Sequence, residues 1–171
     1  MSYYAVIRGP LGVGKTTVAR AVTAAIHGHL VSIDSILDRH DLEEWEGGYI
    51  SVQSFLRAND FAISEAEPLL SVGTPVVLDG NFYHRAAIDD LERRLAFPHE
   101  VFTLTAPVSD CIERDRHRAP SFGEEAVREV FAKVSEVEYG VVVDARQPLA
   151  DTVTAIVRRL DEVARPPPTM K

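Results

Sequence analysis

The sequence predicts an α/β architecture, a parallel sheet covered by helices on both faces, on three observations. Apolar runs of strand length alternate with stretches of helical periodicity along nearly the whole chain. Those runs are apolar almost throughout, the composition of strands buried on both faces. The first strand and the first helix are joined by Gly9-Pro10-Leu11-Gly12-Val13-Gly14-Lys15-Thr16, a complete G-x-x-x-x-G-K-[ST] string in the context where that string carries structural meaning.

Taken in order, Tyr3-Tyr4-Ala5-Val6-Ile7 reads as the first strand and Thr16 to Val22 as the first helix. Leu30-Val31-Ser32-Ile33 is the second strand, followed by a polar stretch containing Gly47-Gly48. Val52, Phe55, Leu56, Ala62, Ile63, Ala66 and Leu70 form an apolar stripe at helical spacing, with a kink expected at Pro68 and a stop at Gly73-Thr74-Pro75. Val76-Val77-Leu78 is the third strand, and Ala86, Ala87, Leu91 and Leu95 mark a helix ended by Pro98. Val101-Phe102-Thr103-Leu104 is the fourth strand, Val108 to His117 a helix, and Ala119-Pro120-Ser121-Phe122-Gly123 an interruption before the helix from Glu124 to Val137. Val141-Val142-Val143 is the fifth strand, and a helix from Asp151 to Val163 closes a single domain over residues 1–164. Arg165-Pro166-Pro167-Pro168 opens a tail, 165–171, expected to be disordered.

Bulk properties narrow the partners. The 171 residues carry a formal net charge of -8, which disfavours a long nucleic acid. A single cysteine, Cys111, fits a reducing cytoplasm, and no apolar segment is long enough to span a membrane. The six histidines show no metal-ligand spacing, and nothing in the sequence speaks to oligomeric state.

In such a sheet, ligands bind beyond the carboxyl ends of the strands. That rule selects the loop Gly9, Pro10, Leu11, Gly12, Val13, Gly14, Lys15, Thr16 and Thr17, then Asp34, then Asp79 with Asn81, then the Asp144 loop. Glycines let successive N–H groups turn toward a polyphosphate, and the new helix adds its positive end. Lys15 is expected to reach the outer phosphates of ATP and Thr16 to ligate Mg²⁺, with Asp79 behind it in the metal's second shell or acting as a turn residue. Asp34 reads as the carboxylate that takes a proton from an attacking hydroxyl, or as a helix cap in which Asp34 or Ser35 serves. Asn81 and Arg85 read as acceptor contacts, or as a helix cap and a surface arginine. Arg114 and Arg118 share a face in the basic run Glu113–Arg118 and are placed over the phosphates by a lid at about 114–123, the alternative being a salt-bridged surface helix. Arg146 is expected at the adenine edge. Trp45 reads either as lining a substrate pocket or as anchoring a loop.

On these residues the chain resembles the small P-loop kinases, the group that holds chloramphenicol phosphotransferase, zeta-toxin kinases, shikimate and gluconate kinases and nucleoside monophosphate kinases. The resemblance implies a three-layer αβα sandwich with the five strands in order 2-3-1-4-5, a short lid, and Asp34 as the base. It implies transfer of the γ-phosphate of Mg-ATP to a hydroxyl of a small molecule such as an antibiotic, sugar or metabolite. Two alternatives stay open at this point: a nucleotide or polynucleotide 5′-kinase, and a regulatory ATPase acting on a partner protein.

Overall fold

A computed structural model describes residues 2–165; the expected disordered tail lies, apart from Arg165, outside the described residues. Five strands build one parallel sheet: β1 (Tyr4–Arg8), β2 (His29–Ser32), β5 (Val76–Gly80), β6 (His99–Thr105) and β7 (Val141–Asp144). They lie in the order β2-β5-β1-β6-β7. Counting only these five along the chain, that is 2-3-1-4-5, as expected. The sequence gives no signal for a small hairpin outside the sheet, β3 (Trp45–Glu46) paired with β4 (Tyr49–Ile50) across Gly47-Gly48.

Seven helices follow the strands among the described residues: α1 (Lys15–Ala25), α2 (Ile33–Arg39), α3 (Val52–Ser71), α4 (Arg85–Arg94), α5 (Val108–Arg116), α6 (Glu124–Ser135) and α7 (Leu149–Val163). Strand side chains alternate between two cores, as a period of two requires. Tyr4 and Val6 of β1 point with Val76 and Leu78 of β5 toward α2, α3 and α4. Ala5, Ile7 and Val77 point the other way, toward α1, α5 and α7. None of the described helices is long and apolar enough to cross a membrane.

Local chemistry explains where the elements begin. Ser51 caps α3 by accepting the Ser54 N–H at 3.1 Å. The helix continues through Pro68 to Ser71. Ser32 caps α2 by accepting the Ser35 N–H, so the chain turns helical at Ile33, a residue the sequence reading assigned to the strand. This sets aside the alternative in which Asp34 or Ser35 caps α2: the cap lies two residues before Asp34.

Candidate functional site

The loop between β1 and α1 is shaped by two glycines that no other residue can replace. Gly12 has φ 76°, and a Cβ there would lie 2.1 Å from the Cys111 carbonyl oxygen of α5. Gly14, with φ 101°, takes the N-cap position of α1 without any side-chain cap, so the first-turn N–H groups face the crevice. Close packing of α5 against this loop also settles Cys111, a fully buried residue among apolar neighbours whose thiol burial pushes up. It packs; it is not a nucleophile.

Lys15 is 8% exposed and donates from Nζ to the Pro10 carbonyl at 2.9 Å. Burial pulls its pKa down, against the opposing pull of Asp34 and Asp79. Thr16 donates from Oγ1 to Asp79 Oδ2 at 3.1 Å, joining the loop to the neighbouring strand. Asp79 is almost wholly buried within β5, and its other oxygen, Oδ1, has no hydrogen-bond partner.

Asp34 lies in the first turn of α2, half-buried, with Oδ1 accepting the Asn81 N–H at 3.4 Å. Burial raises its pKa; Lys15 and the Asn81 N–H oppose the rise, while Asp79 and Glu43 add to it. The structure therefore brings Lys15, Thr16, Asp34, Asp79 and Asn81 together at the carboxyl ends of β1, β2 and β5. Asn81 does not cap α4, where His84 stands at the cap position, and its Oδ1 is buried without a partner. Phe82 turns the chain after Asn81 at φ 42°, an unusual backbone state for a bulky residue, with its ring locked in the core.

The expected arginines separate into three roles. Arg114 donates to the Val13 carbonyl at 2.9 Å and to the Ala145 carbonyl at 3.1 Å, clamping the phosphate loop to the loop after β7. With Gly14, Thr17 and Gln147 it lines a cleft of about 280 Å³. Arg118 lies beyond the end of α5, stacked over Phe122 at 4.3 Å, and close enough to Lys15 to depress its pKa further. Arg116 is spent on surface ion pairs with Glu113 and Glu124.

Two placements differ from expectation. Arg146 is locked to Asp144, at 2.7 Å for the closest contact, and the cleft beside Arg114 is lined by Ala145 and Gln147 instead. Arg85 donates to the Glu138 carbonyl at 3.1 Å and stacks over Tyr139, so it holds the loop between α6 and β7. A larger cleft of about 650 Å³ runs between β7 and α7 and meets the cleft beside Arg114 at Gln147 and Thr152; neither Lys15 nor Asp34 lines it. Trp45 is 67% exposed on the hairpin.

The sequence reading passed over two residues. Asp115, buried at the end of α5, accepts from Ser121 Oγ at 2.6 Å and from the N–H groups of Phe122 and Gly123 at 3.1 and 3.0 Å. Burial pushes its carboxyl up, and these hydrogen bonds more than offset that, holding it below the ordinary range. It pins the segment after α5, and only its place amid charged neighbours hid it. The second is Arg8, fully buried just before the loop.

The profile of the AAA domain family matches residues 5–137. The chain belongs to this family. No curated protein matches the sequence. Among solved structures, a sugar kinase from Janibacter sp. HTCC2649 superposes with a TM-score of 0.78 at 18% identity, over 97% of this chain and 100% of that one. A gluconokinase from Sinorhizobium meliloti 1021 gives 0.68 at 18%, covering 95% and 97%. The Deinococcus radiodurans tunicamycin resistance protein gives 0.69 at 19%, covering 94% and 96%. The AAA domain assignment and these likenesses bear out the expected fold, a P-loop kinase-like α/β sandwich with a five-stranded parallel sheet.

Proposed function

We propose that this protein is an ATP- and Mg²⁺-dependent kinase that phosphorylates a hydroxyl group of a small molecule. The observation that carries the reading is Asp34: a carboxylate freed from capping, oriented by the Asn81 N–H, in the same crevice as the phosphate-loop lysine. The kinase names of the structural neighbours point the same way.

The residues present fit the two groups such a reaction needs. Bare N–H groups at the start of α1 and the Lys15 cation suit a polyphosphate. Thr16 Oγ1 suits a magnesium ligand, and the orphaned buried Oδ1 of Asp79 suits a water on that metal. When bound, Mg-ATP supplies the phosphoryl group and an ADP leaving group. Lys15 holds the phosphate oxygens as charge shifts between them. Asp34 accepts the hydroxyl proton as the acceptor oxygen bonds to phosphorus and the bond to ADP breaks. Its raised pKa makes it a stronger base than an ordinary carboxylate. Arg118 adds positive charge from the lid side, and Arg114 keeps the loop in shape.

Asp34→Asn tests the reading. The variant keeps size and the contact with Asn81 but takes up no proton, so acceptor-dependent ADP release falls by about 10²–10⁴. ATP affinity, measured by calorimetry, stays near wild type. Unchanged turnover in the folded variant removes the case for a hydroxyl kinase.

A further inference from the structure

We infer that the edge of the sheet formed by β7 and α7 is a self-association face, on which a second copy of this chain docks about a two-fold axis, β7 beside β7 and α7 antiparallel to α7. β7 ends the sheet order and pairs only with β6, so its outer backbone groups meet no strand. The strand holds Val141-Val142-Val143, β-branched and apolar, with no lysine or proline among them. Open edges are ordinarily blunted by such residues or covered by another element. At the opposite edge, β2, His29 meets Glu65 of α3 at 2.7 Å, a polar guard that the three valines lack.

Both faces of β7 are left open. Val141 and Val143 lie on the α7 side, where with Phe102 they floor the cleft of about 650 Å³ that Ala155 and Ile156 of α7 wall. Alternation turns Val142 to the other face, where it is 66% exposed. Antiparallel pairing of β7 with the same strand of a second copy, centred on Val142, sets the two Val142 side chains against each other on one face. On the other face it brings the two α7 helices alongside each other over the cleft.

Charge selects the occupant. Asp151, Ala155 and Arg158 of α7 are exposed, line the cleft and stand at i, i+4 and i+7, one stripe of the helix. Asp151 and Arg158 enter no ion pair among the described residues, whereas Arg159 is engaged by Glu100 and Glu162, and Asp144 by Arg146. About 10 Å of helix separates Asp151 from Arg158, too far for the two to pair with each other. Along the stripe the residues run acid, small, base, and from the other end base, small, acid. Two antiparallel copies of α7 therefore place each Asp151 opposite Arg158 of the second copy, with the small alanines nearest the axis. The chain carries a net charge of -8, so two copies repel in most orientations, and on this face both signs are free to meet.

Sedimentation equilibrium of the full chain, with amide hydrogen exchange at low and high protein concentration, tests this. The expected result is a reversible monomer–dimer equilibrium, with exchange in β7 slowed as the protein is concentrated. Val142→Lys puts a charge at the centre of the joint and leaves a monomer. Arg158→Glu and Asp151→Arg each turn both symmetry-related ion pairs into like-charge contacts, and each weakens the dimer by about 100-fold or more. Combining the two reversals restores the pairs and returns the dimer to within about tenfold of wild type. All three positions are exposed, so circular dichroism of the variants stays native. A monomer at every concentration leaves the face to some other protein, and β7 protection that ignores concentration puts a segment of the same chain in the cleft; either result overturns the inference. So does a dimer indifferent to Val142→Lys, or a double reversal no tighter than the single ones.

Discussion

Lys15 and Asp34 share one crevice, and burial works against the charge of each: it lowers the lysine and raises the aspartate, while their mutual attraction opposes both shifts. The pH dependence follows from the sign of the Asp34 shift. A carboxyl whose folded-state pKa is raised contributes stability that is complete below its unfolded pKa and is lost as pH rises through the folded value. Ionising the half-buried Asp34 is therefore a cost to the fold. Asp34→Asn is expected to raise the melting temperature at pH 7.5 while it removes turnover, and the gain shrinks as pH is lowered toward 4. A melting difference that does not vary with pH counts against the raised pKa. Lys15→Ala removes the principal phosphate cation and, by relieving a buried charge, leaves the fold intact; circular dichroism stays native while phosphoryl transfer falls to near background. Thr16→Val separates metal from nucleotide. It weakens binding of ATP with Mg²⁺ more than binding of ATP with EDTA, since only the metal loses a ligand. Equal losses in the two titrations take Thr16 out of the metal shell.

The segment after α5, proposed as a lid, is one latched unit, and Asp115 holds it. Three hydrogen bonds from Ser121, Phe122 and Gly123 converge on one buried carboxylate, and Phe122 in turn supports the Arg118 guanidinium. Asp115→Ala is expected to free residues 117–123, seen as faster hydrogen exchange confined to that segment, and to lower kcat more than ATP affinity. Because the Asp115 pKa is depressed, the latch holds above the ordinary carboxylate range and opens only as pH falls through the lowered value. Exchange unchanged in the variant shows that the latch does not order the lid. This element also shows where the sequence is legible. Positions set by local rules could be read: the phosphate loop from its glycines, Asp34 and Asp79 from the ends of apolar strands, Arg114 from its place in a helix, whereas Arg118 lies past the end of that helix and not on a face shared with Arg114. Positions set by distant partners could not. Asp115 looks like any charge in a charged helix, Arg85 and Arg146 gave no sign of being engaged by Glu138 and Asp144, and the four hairpin residues are too few to show a period. The cap at Ser32 was missed because Asp34 and Ser35 are equally good capping residues by type.

At the scale of the whole molecule, one buried cation ties the lid side to the phosphate loop. Arg8 is the last residue of β1, directly before Gly9, and is fully buried with no carboxylate partner among the described residues. Its guanidinium donates to the Val134 carbonyl at 3.0 Å, to the Val137 carbonyl at 2.8 Å and to Thr103 Oγ1 at 3.2 Å. Val134 lies in the last turn of α6 and Val137 just past its end, where the negative pole of the helix gathers. The helix terminus thus does the work of a counter-ion. Burial, with Arg85 adjacent, lowers the Arg8 pKa to about 10, so the group remains charged at neutral pH. Arg8→Met keeps much of the volume and removes every donor to the Val134 and Val137 carbonyls and to Thr103. Breaking a buried charge arrangement of this kind costs about 3–5 kcal/mol, which for a chain of this size is a fall of about 6–20 °C in melting temperature. Because α6 follows the lid directly, its loosening also reaches the site: KM for ATP rises although Arg8 touches no nucleotide-facing atom. Arg8→Lys restores charge but not the forked geometry that serves two carbonyls at once, so it recovers part of the stability at most. Thermal melting of both variants beside wild type, with ATP titrations, checks the chain of cause. A melting temperature within about 2 °C of wild type for Arg8→Met shows that α6 is held by its apolar face alone.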